Sequence, residues 1–182
     1  MKTDAAEGQR RRENAQRARE AAERFFPGEQ WIKVEEGIYL SPRRAVGKKS
    51  NYRDELRDAQ ILRHLGSTVY LVPEVRSDRE KKFDAIVDGL IFEFKNVSGN
   101  MSTLETQFLR SRSQAPNVFI NLEDSRLTWR QIMSALYGAR NRPETAKTRG
   151  YAHYNQFQDG QIILKIRGQE SLFYVNVDDL KR

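Results

Sequence analysis

The sequence predicts an α/β protein built on a mixed β-sheet flanked by helices. Helix-like and strand-like segments alternate between residues 52 and 122, which is typical of a sheet with helices packed on it. Two apolar runs are separated by Asp88-Gly89, the strongest short signal for an antiparallel hairpin. The chain has 182 residues and no cysteine. It is therefore long enough to form a core without disulfides, and thiolate zinc sites are excluded.

The first 28 residues predict a charged helical arm, followed by a main domain at 29–182 whose core covers 52–122. Ala, Glu and Arg dominate the arm, and its few apolar residues form no sustained heptad. We therefore expect a solvated helix that ends near Pro27 and Gly28. The segment is too polar for a secretory signal, and no apolar run reaches the roughly 18 residues of a membrane span.

The elements of the main domain follow from apolar periodicity, cap residues and turn residues. Asn51 or Asp54 can cap a helix that Gly66 ends. In chain order we expect a strand or hairpin at 31–40, a basic loop at 41–50, a helix at 51–65, a strand at 67–73, a charged loop at 75–82, hairpin strands at 83–88 and 90–97, a helix at 103–115, a strand at 117–122, a helix at 128–140 and a β region at 151–177. The core order from 52 to 122 is thus αβββαβ, and a C-terminal helix and β-hairpin follow.

The hairpin carries the residues that point to chemistry. A two-residue turn at Asp88-Gly89 would pair Val87 with Leu90, Ile86 with Ile91, Ala85 with Phe92 and Asp84 with Glu93. Directly opposed residues share one face of the sheet, and the period of two adds Lys95 to that face. Opposed carboxylates repel unless a positive charge lies between them. Asp84 and Glu93 therefore predict a site for Mg²⁺ or Mn²⁺, with Lys95 placed to orient or deprotonate a water.

The helix that begins near residue 51 adds a further acidic candidate. At 100° per residue, Glu55 falls in an apolar arc with Ala59 and Leu62. A carboxylate inside such an arc is costly unless it is paired or ligating, so Glu55 could supply a third acidic group. Asp58 lies at the edge of the same arc and competes for that role. An acid near a helix start also favours the helix dipole, which requires no site.

The charge distribution favours a polyanionic partner. The net charge is +7, and residues 109–150 contain eight basic and three acidic residues, so most of the excess sits there, as a surface that tracks phosphates requires. An exposed, Arg-rich helix face would look the same. The candidate nucleic-acid contacts are Gln107, Arg110, Gln114, Arg140 and Arg142.

An Asp, a β-hairpin and then Glu-x-Lys resembles the signature of the PD-(D/E)xK nuclease superfamily. Here it stands as Phe83-Asp84 and Glu93-Phe94-Lys95, within an αβββαβ core of about 70 residues. The resemblance implies a metal-dependent phosphodiester hydrolase in which Asp84 and Glu93 hold Mg²⁺, Lys95 acts on the water and Glu55 matches the first-helix acid. Phe83 departs from the usual Pro, which affects backbone shape more than ligation.

More narrowly, FDAIVDGLIFEFKNV, the following helix with its glutamines, and SQAPNVFINL resemble the nuclease domains of bacterial contact-dependent growth inhibition toxins. Many of those domains cut tRNA, and the resemblance implies an acidic immunity protein as a partner. Some have a barnase-like fold with a similar hairpin and cut RNA without metal. In that case His153 or Tyr154 would become the acid–base candidates.

The sequence therefore predicts a metal-dependent nuclease that acts on RNA, with tRNA preferred, as a toxin-type domain. It would act in the cytoplasm, and as a toxin it could be delivered to a target cell. Two alternatives stay open: a DNA endonuclease of a phage or mobile element, and a non-catalytic nucleic-acid-binding module. No membrane partner is expected.

Overall fold

A computed structural model describes residues 2–45, 51–73, 83–141 and 159–180. The chain forms two compact units, Met1–Phe92 and Glu93–Arg182. Each contains helices and a mixed set of parallel and antiparallel strands, which confirms the predicted fold class. The predicted charged loop at 75–82, Arg142, and the segment with His153 and Tyr154 lie outside the described residues, as does the start of the β region predicted at 151–177.

The first unit combines three helices with a sheet in the order β1-β2-β3-β4-β5. Its elements are α1 (Lys2–Phe25), β1 (Ile32–Glu35), β2 (Ile38–Leu40), α2 (Pro42–Ala45), α3 (Asn51–His64), β3 (Val69–Leu71), β4 (Ala85–Val87) and the beginning of β5 (Leu90–Asn96). Strands β2 and β3 are parallel, whereas the other neighbouring pairs are antiparallel. The chain between β2 and β3 contains α2 and α3, as a parallel crossover requires.

The predicted hairpin is present with the predicted register. Val87 pairs with Leu90, Ile86 with Ile91 and Ala85 with Phe92. Asp88 and Gly89 both have positive φ, 51° and 93°, as a two-residue hairpin turn of this type demands. Asp88 tolerates that conformation because its carboxylate accepts a hydrogen bond from the backbone N–H of Thr68, 2.8 Å away. The turn therefore fixes the register of these three pairs.

Helix α1 is not the solvated arm that the sequence predicts. Its helical state is confirmed, but Ala18, Ala21 and Ala22 are buried in a cluster with side chains of β3 and β4. The prediction failed because alanine is too small to give a polar helix a visible apolar stripe, although it allows close backbone approach. The domain boundary at residue 28 stays a prediction.

The second unit has its own strands and core. It contains the remainder of β5, then α4 (Met101–Ser111), β6 (Asn117–Leu122), α5 (Trp129–Arg140), β7 (Gln161–Ile166), β8 (Leu172–Asn176) and a 3₁₀ turn (Val177–Leu180). Strand β6 is parallel to β7, and β7 is antiparallel to β8, so the predicted C-terminal helix and hairpin are confirmed. Helices α4 and α5 pack together over a core of aliphatic side chains and Phe108.

Helix α4 is shorter than predicted. Asn100 caps its start by accepting from the N–H of Thr103, and it ends at Ser111 instead of residue 115. Pro116 disfavours helical conformation at Ala115, and residues 112–114 before it form a turn. Gln114 is consequently in the turn after α4 and does not continue its helical face.

Candidate functional site

Three charged side chains of the first unit form one buried cluster. The Arg44 Nε donates to Glu55 Oε2 at 2.8 Å, and Arg44 Nη2 lies 3.3 Å from Asp84 Oδ1. Arg44 Nη2 also forms an ion pair with Glu55. The cluster brings together two of the four predicted catalytic residues, Glu55 and Asp84, through Arg44, which the sequence predicts in a basic loop and the structure places in α2.

The position of Arg44 is set by the short helix α2. The N–H of Ser41, just before α2, donates to the carbonyl of Leu71 at 3.0 Å, and its hydroxyl donates to Glu29 at 2.6 Å. Glu29 also pairs with Arg43. These contacts anchor α2 at the end of β3, where Arg44 points inward with 7% of its side chain exposed while Arg43 keeps 59% exposed.

Glu55 lies on the face of α3 that the sequence predicts. It is buried together with Ala59 and Leu62, and Asp58 on the same helix is fully buried as well. The expectation that a carboxylate in this arc needs a partner or a ligand is met by Arg44. Burial alone would lower the pKa of Arg44, but the charges of Glu55 and Asp84 outweigh it and raise the pKa above its usual value. The guanidinium is therefore permanently charged.

Asp84 is held by its backbone as well as by Arg44. Its N–H donates to the carbonyl of Phe92 at 3.0 Å, and its own carbonyl accepts from the N–H of Val72 at 3.1 Å. Arg44 Nη1 donates to the carbonyl of Val72 at 2.6 Å. Asp84 thus stands at the entry to β4 in a fixed backbone, and 22% of its side chain is exposed.

Glu93 and Lys95 form an ion pair in the second unit. Lys95 Nζ donates to Glu93 Oε1, so these alternate residues of β5 share one face, as the period of two predicts. Their side chains are only 3% and 18% exposed. Burying a charged pair costs stability unless its hydrogen bonds compensate, which makes this pair an unusual choice for a strand interior.

The acidic donors suit a hard divalent cation but are few. Within the described ranges, no group of three or more His, Asp or Glu side chains is spaced to hold a metal ion, and Glu55 is engaged by Arg44. Mg²⁺ usually takes one or two carboxylates and completes its shell with water and substrate phosphate. An oxygen donor that is one-fifth exposed, such as Asp84, fits that pattern. A site with three protein carboxylates does not match that coordination pattern.

The predicted nucleic-acid contacts differ in exposure. Arg110 is exposed on α4, Gln107 on the same helix and Gln114 after it are half-buried, and Arg140 is half-buried at the end of α5. Among the predicted contacts that the structure describes, Arg110 is therefore the one exposed cation.

Arg112 does not belong to the basic surface that the sequence predicts. It is 1% exposed, and its guanidinium donates to the carbonyls of Pro116 and, at 2.8 Å, Asp159. Burial first, and then the nearby charge of Arg140, lower the pKa of Arg112 to about 10. One of the eight basic residues counted between 109 and 150 therefore ties the turn after α4 to the start of β7 and does not face solvent.

No family model and no curated protein matches the chain. Among solved structures, it is similar to a CdiA-CT/CdiI toxin and immunity complex from Burkholderia pseudomallei. The TM-score is 0.47 at 21% sequence identity, and the match covers 75% of this chain and 97% of that chain.

In the described part of the chain, no helix is long and apolar enough to cross a membrane.

Proposed function

We propose that the chain is a toxin-type nuclease of the PD-(D/E)xK kind that hydrolyses phosphodiester bonds of RNA, with tRNA as the preferred substrate. The observation that carries the proposal is the ion pair between buried Glu93 and partly buried Lys95 on alternate positions of one strand. A strand interior normally takes apolar side chains, so charges kept there at a cost in stability favour a catalytic role.

Three of the four predicted catalytic residues have a role here that follows from their chemistry. Asp84 and Glu93 would hold Mg²⁺ or Mn²⁺, on the hairpin register that the sequence predicts. When bound, the ion would polarise the phosphate and make a bound water more acidic. Lys95 would orient the attacking water or take its proton. As the water oxygen bonds to phosphorus, the P–O bond to the leaving oxygen would break, and that oxygen would depart with the bonding electrons and take a proton from solvent.

A basic surface would hold the nucleic acid. The net charge of +7 draws a polyanion by long-range attraction, and exposed Arg110 is the described contact best placed to meet a phosphate. Gln107, Gln114, Arg140 and Arg142 complete the proposed set. A protein inhibitor of so basic a chain would be acidic, and the action on tRNA would take place in the cytoplasm.

The deciding experiment incubates the protein with total tRNA and with plasmid DNA, each with and without EDTA. We expect tRNA cleavage that stops in EDTA and returns when Mg²⁺ or Mn²⁺ is added in excess. Lys95→Ala and Glu93→Gln should lower the cleavage rate by at least about 100-fold, as loss of general acid–base or ligand groups does, while nucleic-acid affinity stays nearly unchanged.

Matched controls separate catalysis from folding. Lys165→Ala removes another strand lysine, which is 14% exposed, and Glu123→Gln removes the glutamate beside it. Both should cleave at close to the wild-type rate. Binding without cleavage in any metal would contradict the nuclease proposal and favour the binding module. Cleavage that survives EDTA would remove the metal from it, and plasmid cleavage without tRNA cleavage would make the protein a DNA endonuclease.

A further inference from the structure

We propose that Arg44 occupies the place that a second divalent cation takes in two-metal nucleases, so that this chain binds a single metal ion. The inference rests on the proposed function, because the single ion is the one assigned to Asp84 and Glu93. It gives Glu55 a new role as the partner of Arg44 instead of a metal ligand.

The contacts of Arg44 resemble those of a bridging cation. All three guanidinium nitrogens donate: Nε to Glu55, Nη1 to the carbonyl of Val72, and Nη2 to both Glu55 and Asp84. Two carboxylates that lie 29 positions apart in the chain are thereby joined through one positive charge. Two-metal sites use carboxylates that neighbouring ions share, and here the cation between them is part of the protein.

The burial of Arg44 makes this arrangement persistent. The side chain is 7% exposed, and its planar fork matches the carboxylate oxygens in a way that a lysine ammonium would not. A divalent ion that approached the same oxygens of Glu55 would meet the repulsion of the guanidinium, which is weakly screened at a buried position. Glu55 is therefore closed to metal as long as Arg44 remains.

The experiment counts bound Mn²⁺ in the full chain by isothermal titration calorimetry and by the electron paramagnetic resonance signal of free Mn²⁺. Wild type should bind one equivalent. Arg44→Gln removes the positive charge that lies between the two carboxylates and should bind one equivalent more than wild type. Arg44→Lys keeps the positive charge and should show the wild-type number. An equal Mn²⁺ count in wild type and Arg44→Gln, or two equivalents in wild type, would overturn the inference.

A second variant covers the case in which Arg44→Gln does not fold. Arg44→Gln/Glu55→Gln removes both members of the buried pair and leaves two amides that can bond to each other. Its Mn²⁺ count should equal that of wild type, since Glu55 is not a ligand. A double variant that loses the wild-type equivalent would show that Glu55 does bind metal, and the inference would fall.

Failure of this inference is distinguishable from failure of the proposed function. Asp84→Asn should abolish the wild-type equivalent if the proposed function is right. If wild type binds no Mn²⁺ but Arg44→Gln binds one equivalent, the metal part of the proposed function fails and the role of Arg44 stands. If wild type binds one equivalent that needs Asp84 and Arg44→Gln changes nothing, the proposed function stands and the role of Arg44 is wrong.

Discussion

Replacing Arg44 with alanine should destabilise the protein far more than replacing Arg43, its neighbour on the same short helix. Arg44 is 7% exposed and joins Glu55 and Asp84, whereas Arg43 is 59% exposed and pairs with Glu29. Both substitutions remove one positive charge from one turn of helix. The difference between them therefore measures the effect of burial.

The expected magnitudes follow from the exposure of the two pairs. Removing one partner of a buried ion pair leaves a buried charge and costs about 3–5 kcal/mol, whereas a mostly exposed pair contributes about 0–1 kcal/mol. For a chain of this size each kcal/mol lowers Tm by about 2–4 °C. Arg44→Ala should therefore lower Tm by roughly 6–20 °C, and Arg43→Ala by less than about 4 °C.

The assay is urea and thermal unfolding at pH 7, followed by circular dichroism, on both variants and on Arg44→Ala/Glu55→Gln. The double variant should recover part of the loss, because it also removes the carboxylate charge that Arg44 balances in the wild type. If Arg44→Ala costs no more than Arg43→Ala, Arg44 is not the buried partner of Glu55 and the charged cluster has been misassigned.

Three further substitutions test burial and backbone conformation elsewhere in the protein. Asp88→Asn should raise stability at pH 7 by up to about 1 kcal/mol. Burial raises the pKa of Asp88 above its usual 3.8, so its ionised form lowers the stability of the folded protein at pH 7. That stability is regained as the pH falls through the folded-state pKa. Asn suits the positive φ, and its side-chain oxygen can still accept from the N–H of Thr68. The gain in stability should vanish near pH 3 in urea titrations. An unchanged gain at pH 3 would show that the charge of Asp88 is not its cause. Gly160→Ala should cost more than about 3 kcal/mol, because a Cβ there would lie 1.9 Å from the carbonyl oxygen of Pro116. Gly168→Ala, which also has positive φ but open space, should cost only about 1–2 kcal/mol, and equal losses in the two variants would contradict the steric argument.

The order of elements was predictable because its signals are local. The positive-φ turn at Asp88-Gly89, the alternating strand after it and the end of α3 just before Gly66 depend on immediate neighbours. The strand Asn117–Leu122 was predicted with its observed bounds, because Pro116 limits its start and the polar turn after the apolar run limits its end.

The candidate site was predictable only in part. The shared face of Glu93 and Lys95 follows from the strand period, and the buried face of Glu55 follows from the helix period. The sequence also indicated that Glu55 needs a partner or a ligand. It could not select Arg44, because Arg43 and Arg44 are adjacent and equally basic, and only the seating of α2 against the end of β3 turns one inward.

By itself, then, the sequence determined the α/β class and the order of helices and strands apart from α2, which it predicts as part of a basic loop, since these features depend on neighbours within a few positions. Tertiary structure decided which charges are buried, namely Arg44 between two carboxylates and Arg112 on the carbonyls of Pro116 and Asp159. It also decided that the alanine face of α1 packs against strands of the first unit. Those outcomes depend on atoms brought together from distant parts of the chain, where the electrostatic and packing energies are set by distances that no local pattern contains.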